Sequence, residues 1–202
     1  MNFILDHKFA DGNTPIRREE AEQLIPRIST MGELNEYEAL NILRAKDWAF
    51  DARTMKSTNP LDESYVRELH QRMFGEVWKW AGIYRKHEVS VGCDPREITQ
   101  RLAQLLGNAQ YWLDKATFPV DESLIRFHHQ LVKIHPFANG NGRQARMITD
   151  VLAVKQGRPE FSWGSGHDLV QEGRARTQYL AALQALDAND NDVKPLLVFA
   201  RS

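Results

Sequence analysis

Apolar and polar residues alternate along most of the chain with the 3.6-residue period of amphipathic α-helices. The clearest case is the stretch 62–80, in which the apolar residues recur three or four positions apart and Gly82 follows as a stop signal. The same period predicts helices over 33–48, 62–80, 95–114, 121–135, 142–156 and 167–186, and a short last helix after Pro195.

Two segments lack this period. Residues 1–28 combine charged residues with glycine and proline, which favours an irregular or partly extended arm. Residues 84–92 alternate at Val89 and Val91 between glycines, and this pattern predicts a short β-hairpin or extended flap. We therefore expect a mainly α fold with one short hairpin.

Length and composition fit a globular protein with an arm. The chain has 202 residues, of which 42% are hydrophobic and 26% charged, close to the average for folded domains. Its 26 Lys and Arg against 27 Asp and Glu give a net charge of -1, which argues against general nucleic-acid binding. We divide the chain into an N-terminal arm with a helix, 1–57, and a helical core, 58–202.

Cysteine usage and the first residues bear on the compartment. Cys93 is the only cysteine, so the chain has no internal disulfide, and no Cys/His cluster has the spacing of a zinc site. The first residues lack the basic and long apolar regions of a signal peptide, and no stretch approaches the length of a membrane span. We expect a cytoplasmic protein without membrane association.

The stretch His135 to Arg146, HPFANGNGRQAR, ends one predicted helix and begins the next through a glycine-rich turn. Amides at a helix start are unpaired and lie at the positive end of the helix dipole. Gly140, Asn141 and Gly142 can therefore form an anion-binding nest, in which glycine permits close approach of a phosphate.

The charged residues around this nest favour a polyphosphate ligand. Arg143 and Arg146 are three residues apart, so they share one face near the anion-binding end of the helix. His135 can accept a proton from an incoming hydroxyl, and the amide oxygen of Asn139 suits a hard cation such as Mg²⁺. Taken singly, these residues are ordinary turn, cap and surface residues; together they are improbable by average usage.

HPFANGNGRQAR resembles the signature loop of the Fic family, His-Pro-Phe-x-(Asp/Asn)-Gly-Asn-Gly-Arg-x-x-Arg, with every specified position present. RMFGEVWKWAGIYR and the Val89 to Gly92 stretch are similar to the helix and flap that precede the Fic core. DGNTP, MGELNEYEALNI and PLLVFARS resemble a subgroup called mobile mystery protein B. The resemblance implies a Fic-type helical bundle with a short β-hairpin flap.

The resemblance also implies an activity, transfer of AMP from ATP to a Ser, Thr or Tyr hydroxyl of a protein target. His135 would activate the hydroxyl, Asn139 would bind Mg²⁺, and Phe137 would anchor the loop to the core. A neutral oxygen at position 139, where many members carry Asp, implies weaker metal binding. The nest would form the anion hole, and the two arginines would hold the distal phosphates: Gly140, Asn141, Gly142, Arg143 and Arg146.

Two further features of the resemblance concern the reaction and the target. A kinase-like branch of the wider family has Lys where this chain has Gly142, so this glycine favours nucleotidyl transfer. The flap would hold the target by strand addition beside His135, although ordinary packing explains its two valines equally well. The flap residues are Glu88, Val89, Ser90, Val91 and Gly92.

Many Fic proteins carry an inhibitory helix with the motif (Ser/Thr)-x-x-x-Glu-(Gly/Asn). Ser29 and Glu33 match this motif, whereas Leu34 departs from it. The match predicts that Glu33 pairs with Arg146 and blocks productive placement of ATP. Alternatively, Glu33 only favours the start of its helix, where a carboxylate meets the helix dipole.

The sequence thus predicts a Fic-type protein adenylyltransferase, with ATP as substrate and Mg²⁺ as cofactor, held inactive by its N-terminal helix. Its partners would be a protein with an acceptor hydroxyl and a second copy or a regulatory protein. Two alternatives stay open. The same fold can transfer another nucleotide or remove AMP, or it can bind nucleotide as a regulatory module without turnover.

Overall fold

The computed structural model describes residues 15–164, Leu169 and residues 173–202. Helices dominate these residues, and the two β-bridges among them, Leu24 with Trp78 and Tyr84 with Phe137, are isolated. No helix in the described part combines the length and apolar character that a bilayer crossing requires. The helices are α1 (Arg18–Ala21), α2 (Met31–Phe50), α3 (Ala52–Ser57), α4 (Glu63–Phe74), α5 (Ile98–Asp114), α6 (Val120–Ile134), α7 (Asn141–Lys155), α8 (Arg174–Ala188) and α9 (Lys194–Arg201).

Helix α6 lies at the centre of the bundle and packs against α5, α7 and α9. Its apolar residues recur at helical spacing and are fully buried, as the sequence pattern predicts. Burial of these side chains fixes the C-terminal end of α6, and therefore the start of the glycine-rich loop, relative to the core. The buried apolar side chains include Leu124, Ile125, Phe127 and Leu131.

Helix α2 packs along α4 and also contacts α7. Apart from Leu34, its buried residues are small or polar, among them Glu38, Asn41 and Ala45. Three large apolar residues lie on the solvent side instead: Tyr37, Leu40 and Leu43 are 46, 56 and 56% exposed. The predicted helix is confirmed, but most of the apolar residues that indicated it do not form its buried face.

Helix α4 ends at Phe74, six residues before the predicted end at position 80. The chain turns at Gly75, where an added Cβ would lie 2.2 Å from the side-chain nitrogen Nε2 of Gln71. This turn directs Trp78 and Trp80 into the core, where the two rings stack with centroids 5.1 Å apart. The apolar pattern continues beyond the helix because these residues are buried without being helical.

The remaining helices agree with the pattern, with three differences. Helix α1 lies in the predicted irregular arm 1–28, α3 was not predicted from the sequence, and α8 begins at Arg174 instead of position 167. Positions 11–14 of the DGNTP motif lie outside the described residues.

Of the two forms predicted for 84–92, a hairpin or an extended flap, the hairpin does not form, because no backbone hydrogen bond pairs the two halves of the segment. Instead, Tyr84 forms its isolated bridge with Phe137 in the glycine-rich loop, and the Arg85 amide donates to the Pro136 carbonyl at 2.9 Å. The flap therefore pairs with the loop and not with itself. The Arg85 side chain donates hydrogen bonds to the carbonyls of His87 and Cys93, which lie at the two ends of the segment.

Candidate active site

The loop between α6 and α7 begins and ends with a residue in the left-handed backbone region. His135 caps the C-terminus of α6 with φ 53° and ψ 61°, an uncommon conformation for a non-glycine residue. Gly140 caps the N-terminus of α7 with φ 79°, and an added Cβ there would lie 2.5 Å from the Phe74 ring. The two turns hold the chain between them in a tight loop.

Asn141 and Phe137 fix the interior of this loop. The Asn141 side chain accepts a hydrogen bond from the Phe137 amide at 2.9 Å and donates to the Phe137 carbonyl at 2.8 Å. Phe137 is fully buried, which agrees with its expected role as the loop anchor. The Asn141 side chain therefore holds the loop, and only its backbone amide is placed to contribute to an anion site.

His70 of α4 supports the same loop and was not singled out from the sequence. Its ring stacks on Phe137 with centroids 3.7 Å apart. The Gly82 amide donates to Nδ1 at 2.9 Å, so Nε2 carries the proton and donates to the Asn139 carbonyl at 3.0 Å. Burial lowers the pKa of His70 to about 3, which keeps the ring neutral and both bonds intact. Its position in sequence, 65 residues before the loop, gives no signal of this contact.

The His135 imidazole is buried and neutral. Burial lowers its pKa to about 4, and the nearby Arg85 guanidinium acts in the same direction. Nδ1 lies 3.3 Å from the Val132 carbonyl, which can only accept, so Nδ1 carries the proton and the basic lone pair is on Nε2. A neutral imidazole in this tautomer has the properties of a general base.

The amides of residues 141–143 precede the first hydrogen bond of α7, which runs from the Gln144 amide to the Gly140 carbonyl at 2.9 Å. They consequently have no partner within the helix and lie at its positive end. Gly142 is the open position here, since an added Cβ would lie 3.7 Å from Arg146, its nearest contact. These amides are where the sequence predicts an anion-binding nest, and anion binding there stays a prediction.

The two motif arginines are held in different ways. Arg143 forms an ion pair with Glu38 of α2, donates to the Asn139 amide oxygen at 3.2 Å and lies over the Phe74 ring at 4.7 Å. Arg146 lies over the ring of Tyr179 at 5.6 Å. Both arginines lie in the first two turns of α7, where their three-residue spacing predicts that they share one face of the helix.

The glutamate that reaches the loop is Glu38 and not Glu33. Glu38 is buried and also accepts a hydrogen bond from the Trp78 indole at 2.7 Å. Glu33 is exposed in the first turn of α2, where its carboxylate accepts from the amides of Ser29 and Thr30 at 2.8 and 3.1 Å. Those bonds form a capping box and hold the pKa of Glu33 below its usual range.

The expected pair between Glu33 and Arg146 is therefore wrong: the described residues contain no ion pair between them. Glu33 instead accepts hydrogen bonds from the Ser29 and Thr30 amides at the start of α2, which agrees with the alternative interpretation that Glu33 only favours the start of its helix. Ser29 likewise contributes a backbone amide to the cap and no contact with the loop. The ion pair between helix and loop forms one turn further along α2.

Asn139 does not fit a resident magnesium ion as it is arranged. Its side-chain oxygen accepts from the Gly140 amide at 2.6 Å and from Arg143. Those donors occupy the oxygen, and the guanidinium repels a cation. In the described part of the chain, no group of three or more His, Cys, Asp or Glu residues could hold a metal ion.

The flap lies directly over His135. A Cβ on Gly92 would lie 3.1 Å from the His135 Cβ, and Gly92 has φ 149°. Three other predicted docking residues, Glu88, Ser90 and Val91, are exposed, while Val89 is half-buried. The exposed backbone is available for a target, although its Glu88 carbonyl accepts a hydrogen bond from Arg17 at 3.0 Å.

A cleft of about 790 Å³ lies beside the flap, between α5, α6 and the C-terminal end of α8. It meets the loop through Ile134, which precedes His135, and through Gly92. Its volume is in the range of small-molecule sites. The lining is largely polar and contains Ser90, Val91, Gly92, Cys93, Arg101, Gln104, Leu105, Asn108, Arg126, His129, Gln130, Lys133, Ile134, Leu186, Asp187 and Asp190.

Fold and site together define a helical protein with an anion-binding loop and a neutral histidine at one end of that loop. Residues 60–153 match the Fic/DOC family, and this part of the chain is a Fic/DOC domain. The protein adenylyltransferase Fic of Drosophila mojavensis is 30% identical over 139 residues, which cover 66% of this chain and 26% of that protein. The chain thus spans about a quarter of the length of the curated relatives it matches.

Solved structures share the same fold. A Fic-domain signalling protein from Bacteroides thetaiotaomicron has a TM-score of 0.62 at 22% identity, covering 81% of this chain and 65% of that one. The BepC effector of Bartonella tribocorum, solved with AMPPNP bound, has a TM-score of 0.63 at 18% identity, covering 92% and 97%. The predicted Fic-type helical bundle is confirmed.

Proposed function

We propose that this protein is an adenylyltransferase that transfers AMP from ATP to a Ser, Thr or Tyr hydroxyl of a protein target. The carrying observation is the loop itself: a neutral His135 at one end and the unpaired amides of α7 at the other. The adenylyltransferase name of the Drosophila relatives and the nucleotide bound to BepC support the same activity.

In the proposed reaction, Nε2 of His135 takes the proton from the target hydroxyl, whose oxygen attacks the α-phosphorus of ATP. A bond forms between that oxygen and phosphorus, the bond from phosphorus to the β-phosphate oxygen breaks, and pyrophosphate leaves. The amides of residues 141–143 would stabilise the charge on the phosphate oxygens. Arg143 and Arg146 would bind the distal phosphates, which match their planar donors.

The nucleoside and the target would occupy the two sides of the flap. The cleft beside it is large enough for a nucleoside and is lined by Ile134, the residue before His135. The exposed backbone of Glu88 to Gly92 would pair with an extended target segment. This arrangement would bring the target hydroxyl to the histidine that the flap covers.

Inhibition by the N-terminal helix is also part of the proposal, with Glu38 as the inhibitory residue. Its ion pair engages Arg143, one of the two arginines needed for the distal phosphates. Because a buried carboxylate beside the phosphate site also repels anions, ATP would bind productively only after the pair opens. The solvent-facing residues of α2 play no part in this contact.

The test compares wild type, Glu38→Gln and Glu38→Gln/His135→Ala with α-³²P-ATP and γ-³²P-ATP, reading label on the chain and in lysate. Glutamine keeps an acceptor for Trp78 but removes the charge, so label from α-³²P-ATP should increase at least tenfold and vanish with His135→Ala. Glu36→Gln is the matched control, because Glu36 is exposed on the same helix.

The other outcomes separate the alternatives. Label from γ-³²P-ATP alone would indicate phosphoryl transfer, and label from another α-labelled nucleotide would indicate a different nucleotide preference. ATP binding without label in any variant would contradict the proposed transfer and favour a binding module. Equal labelling of wild type and Glu38→Gln would contradict the inhibitory role alone.

We propose Mg²⁺ as a companion of the ATP phosphates and not as a resident ion. Mg²⁺ would enter with the phosphates of ATP, because Asn139 offers one neutral and occupied oxygen. Asn139→Asp should therefore lower the Mg²⁺ concentration that gives half-maximal labelling. The cytoplasmic location, the second copy or regulatory partner and the resemblance to mobile mystery protein B stay predictions.

A further inference from the structure

Arg85 is a buried guanidinium in the flap whose hydrogen bonds all run to backbone carbonyls. Nε donates to His135 at 2.7 Å and Nη1 to His87 at 2.7 Å. Nη2 donates to Cys93 at 2.5 Å and to Ile134 at 3.3 Å. Among the described residues it forms no ion pair with a carboxylate, which is unusual for a charge that is 5% exposed.

These carbonyls belong to two different parts of the site. Those of His87 and Cys93 lie at the two ends of the flap, whereas those of Ile134 and His135 end helix α6. The Arg85 amide adds a fifth link, to the Pro136 carbonyl. One side chain thus joins the segment that would hold the target to the residue that would accept its proton.

The hydrogen bond from Arg85 to the His135 carbonyl has the greatest consequence for the site. His135 has a left-handed backbone, which costs free energy and persists only where surrounding contacts fix it. Its amide is bonded to the Leu131 carbonyl at 3.1 Å and its carbonyl to Arg85, so both neighbouring peptide groups are held. The direction of the imidazole follows from these two bonds.

We propose that Arg85 is a positioning residue for the transfer reaction, which sets the backbone of His135 and fixes the flap to it. The inference rests on the proposed function, since it assumes that His135 is the general base. Small displacements of a catalytic group are costly, on the order of 100-fold for about 1 Å. Loss of Arg85 should therefore reduce turnover more than nucleotide binding.

The activity test uses Arg85→Gln and Arg85→Lys in the Glu38→Gln background, with label from α-³²P-ATP as the readout. We expect Arg85→Gln to lower kcat by about 10- to 100-fold with the KM for ATP changed less than about twofold. Arg85→Lys, which keeps the charge and up to three donors, should recover part of kcat. Arg96→Gln is the control, because Arg96 is exposed beyond the C-terminal end of the flap and pairs with Asp94.

Amide hydrogen exchange measures the link without any transfer activity. In Arg85→Gln, exchange should accelerate together in 84–93 and in 134–137, while the amides in the middle of α5 stay unchanged. If Arg85→Gln does not fold, Arg85→Lys gives the same comparison with part of the donors retained.

Joint acceleration with a loss of kcat supports the proposal. Unchanged exchange, acceleration confined to one of the two segments, or an unchanged kcat would each overturn it. A wild-type and Glu38→Gln protein that transfers no nucleotide would contradict the proposed function instead, and the exchange data would still decide whether Arg85 joins flap and loop.

Discussion

Gly140 and Gly142 lie two residues apart in the loop and have different surroundings. Gly140 has φ 79° and an added Cβ would lie 2.5 Å from the Phe74 ring, whereas at Gly142 the nearest atom would be 3.7 Å away. Gly140→Ala should therefore lower the free energy of unfolding by about 1 to 3 kcal/mol. Gly142→Ala should change it by less than about 0.5 kcal/mol. Urea unfolding of both variants measures the difference.

A result in which both alanines destabilise the protein equally would show that the loop is constrained along its whole length. In the structure, the constraint is confined to Gly140, the N-cap of α7, and the Phe74 ring beside it.

His70 allows a second test at the scale of single residues. His70→Phe keeps a ring to stack on Phe137 but leaves the Gly82 amide and the Asn139 carbonyl without their partner. We expect a loss of about 2 to 4 kcal/mol in unfolding free energy, because two buried polar groups lose their hydrogen bonds. Calorimetry checks the loss; a melting temperature equal to wild type would mean that the stacking alone holds the loop.

The sequence predicts the site residues that lie within the loop and misses those that support it from elsewhere. His135, Phe137 and the glycines share one motif, whose spacing carries chemical meaning. His70 and Arg85 are distant in sequence and resemble any buried histidine or surface arginine. Their roles depend on packing between elements, which periodicity does not encode.

At the scale of elements, α2 shows how far an apolar pattern can be used. Helical spacing correctly predicts the helix, because this signal is local. The buried face is decided by its neighbour α4, which approaches closely enough to require small residues such as Ala45 and Ala49. The same close packing brings Glu38 to the loop, so the position of Glu33 in a motif was misleading.

This packing gives a prediction for α2. Ala49→Leu adds volume to a fully buried position and should destabilise the protein by about 1 to 3 kcal/mol. Leu43→Ala removes an exposed side chain and should change stability by less than about 0.5 kcal/mol. Thermal unfolding followed by circular dichroism compares them; a larger loss for Leu43→Ala would contradict the assignment of the buried face.

The flap shows the opposite limit, since its alternating valines are typical of a strand. Strand pairing needs a partner of complementary backbone, and here the carbonyls at both ends of the flap bind Arg85 instead. A buried guanidinium that binds these carbonyls leaves no periodic signal, so the pattern could not decide between the two predicted forms, hairpin and extended flap.

For the molecule as a whole, Asp150 connects the loop helix α7 to the segment before α8. Its carboxylate accepts from the Phe161 amide and the Trp163 indole, both at 3.0 Å. Burial raises the pKa of Asp150 to about 7, so the folded protein binds a proton that the unfolded chain releases near pH 4. The stability that this proton provides is complete below about pH 4 and is lost as the pH rises to about 7.

We therefore expect the contribution of Asp150 to stability to fall, on the order of a few kcal/mol, between about pH 4 and 7. Asp150→Asn should flatten this part of the pH dependence and raise the melting temperature at pH 8. Melting curves of both proteins from pH 4 to 8 test the expectation. The same slope in Asp150→Asn would assign the proton to another group.

The class of the fold follows from the sequence, because helices α5, α6 and α7 contribute a large share of the core and their apolar residues recur at helical spacing. The association of the N-terminal helix with the loop does not, since it depends on one buried contact across 105 residues. Each long-range polar contact of this kind is decided by geometry that only the folded chain provides.

The hydrogen bond from Trp78 to Glu38 gives the protein an optical reporter of its own. Indole emission responds to charge near the ring, and this ring is fully buried with a carboxylate on its nitrogen. Opening of the ion pair between Glu38 and Arg143 would change the electric field at the Trp78 ring and therefore its emission. Comparison with Trp78→Phe identifies the share of the fluorescence signal that comes from this ring. The state of the inhibitory contact could thus be followed in real time as nucleotide is added, without a label and without knowledge of the target.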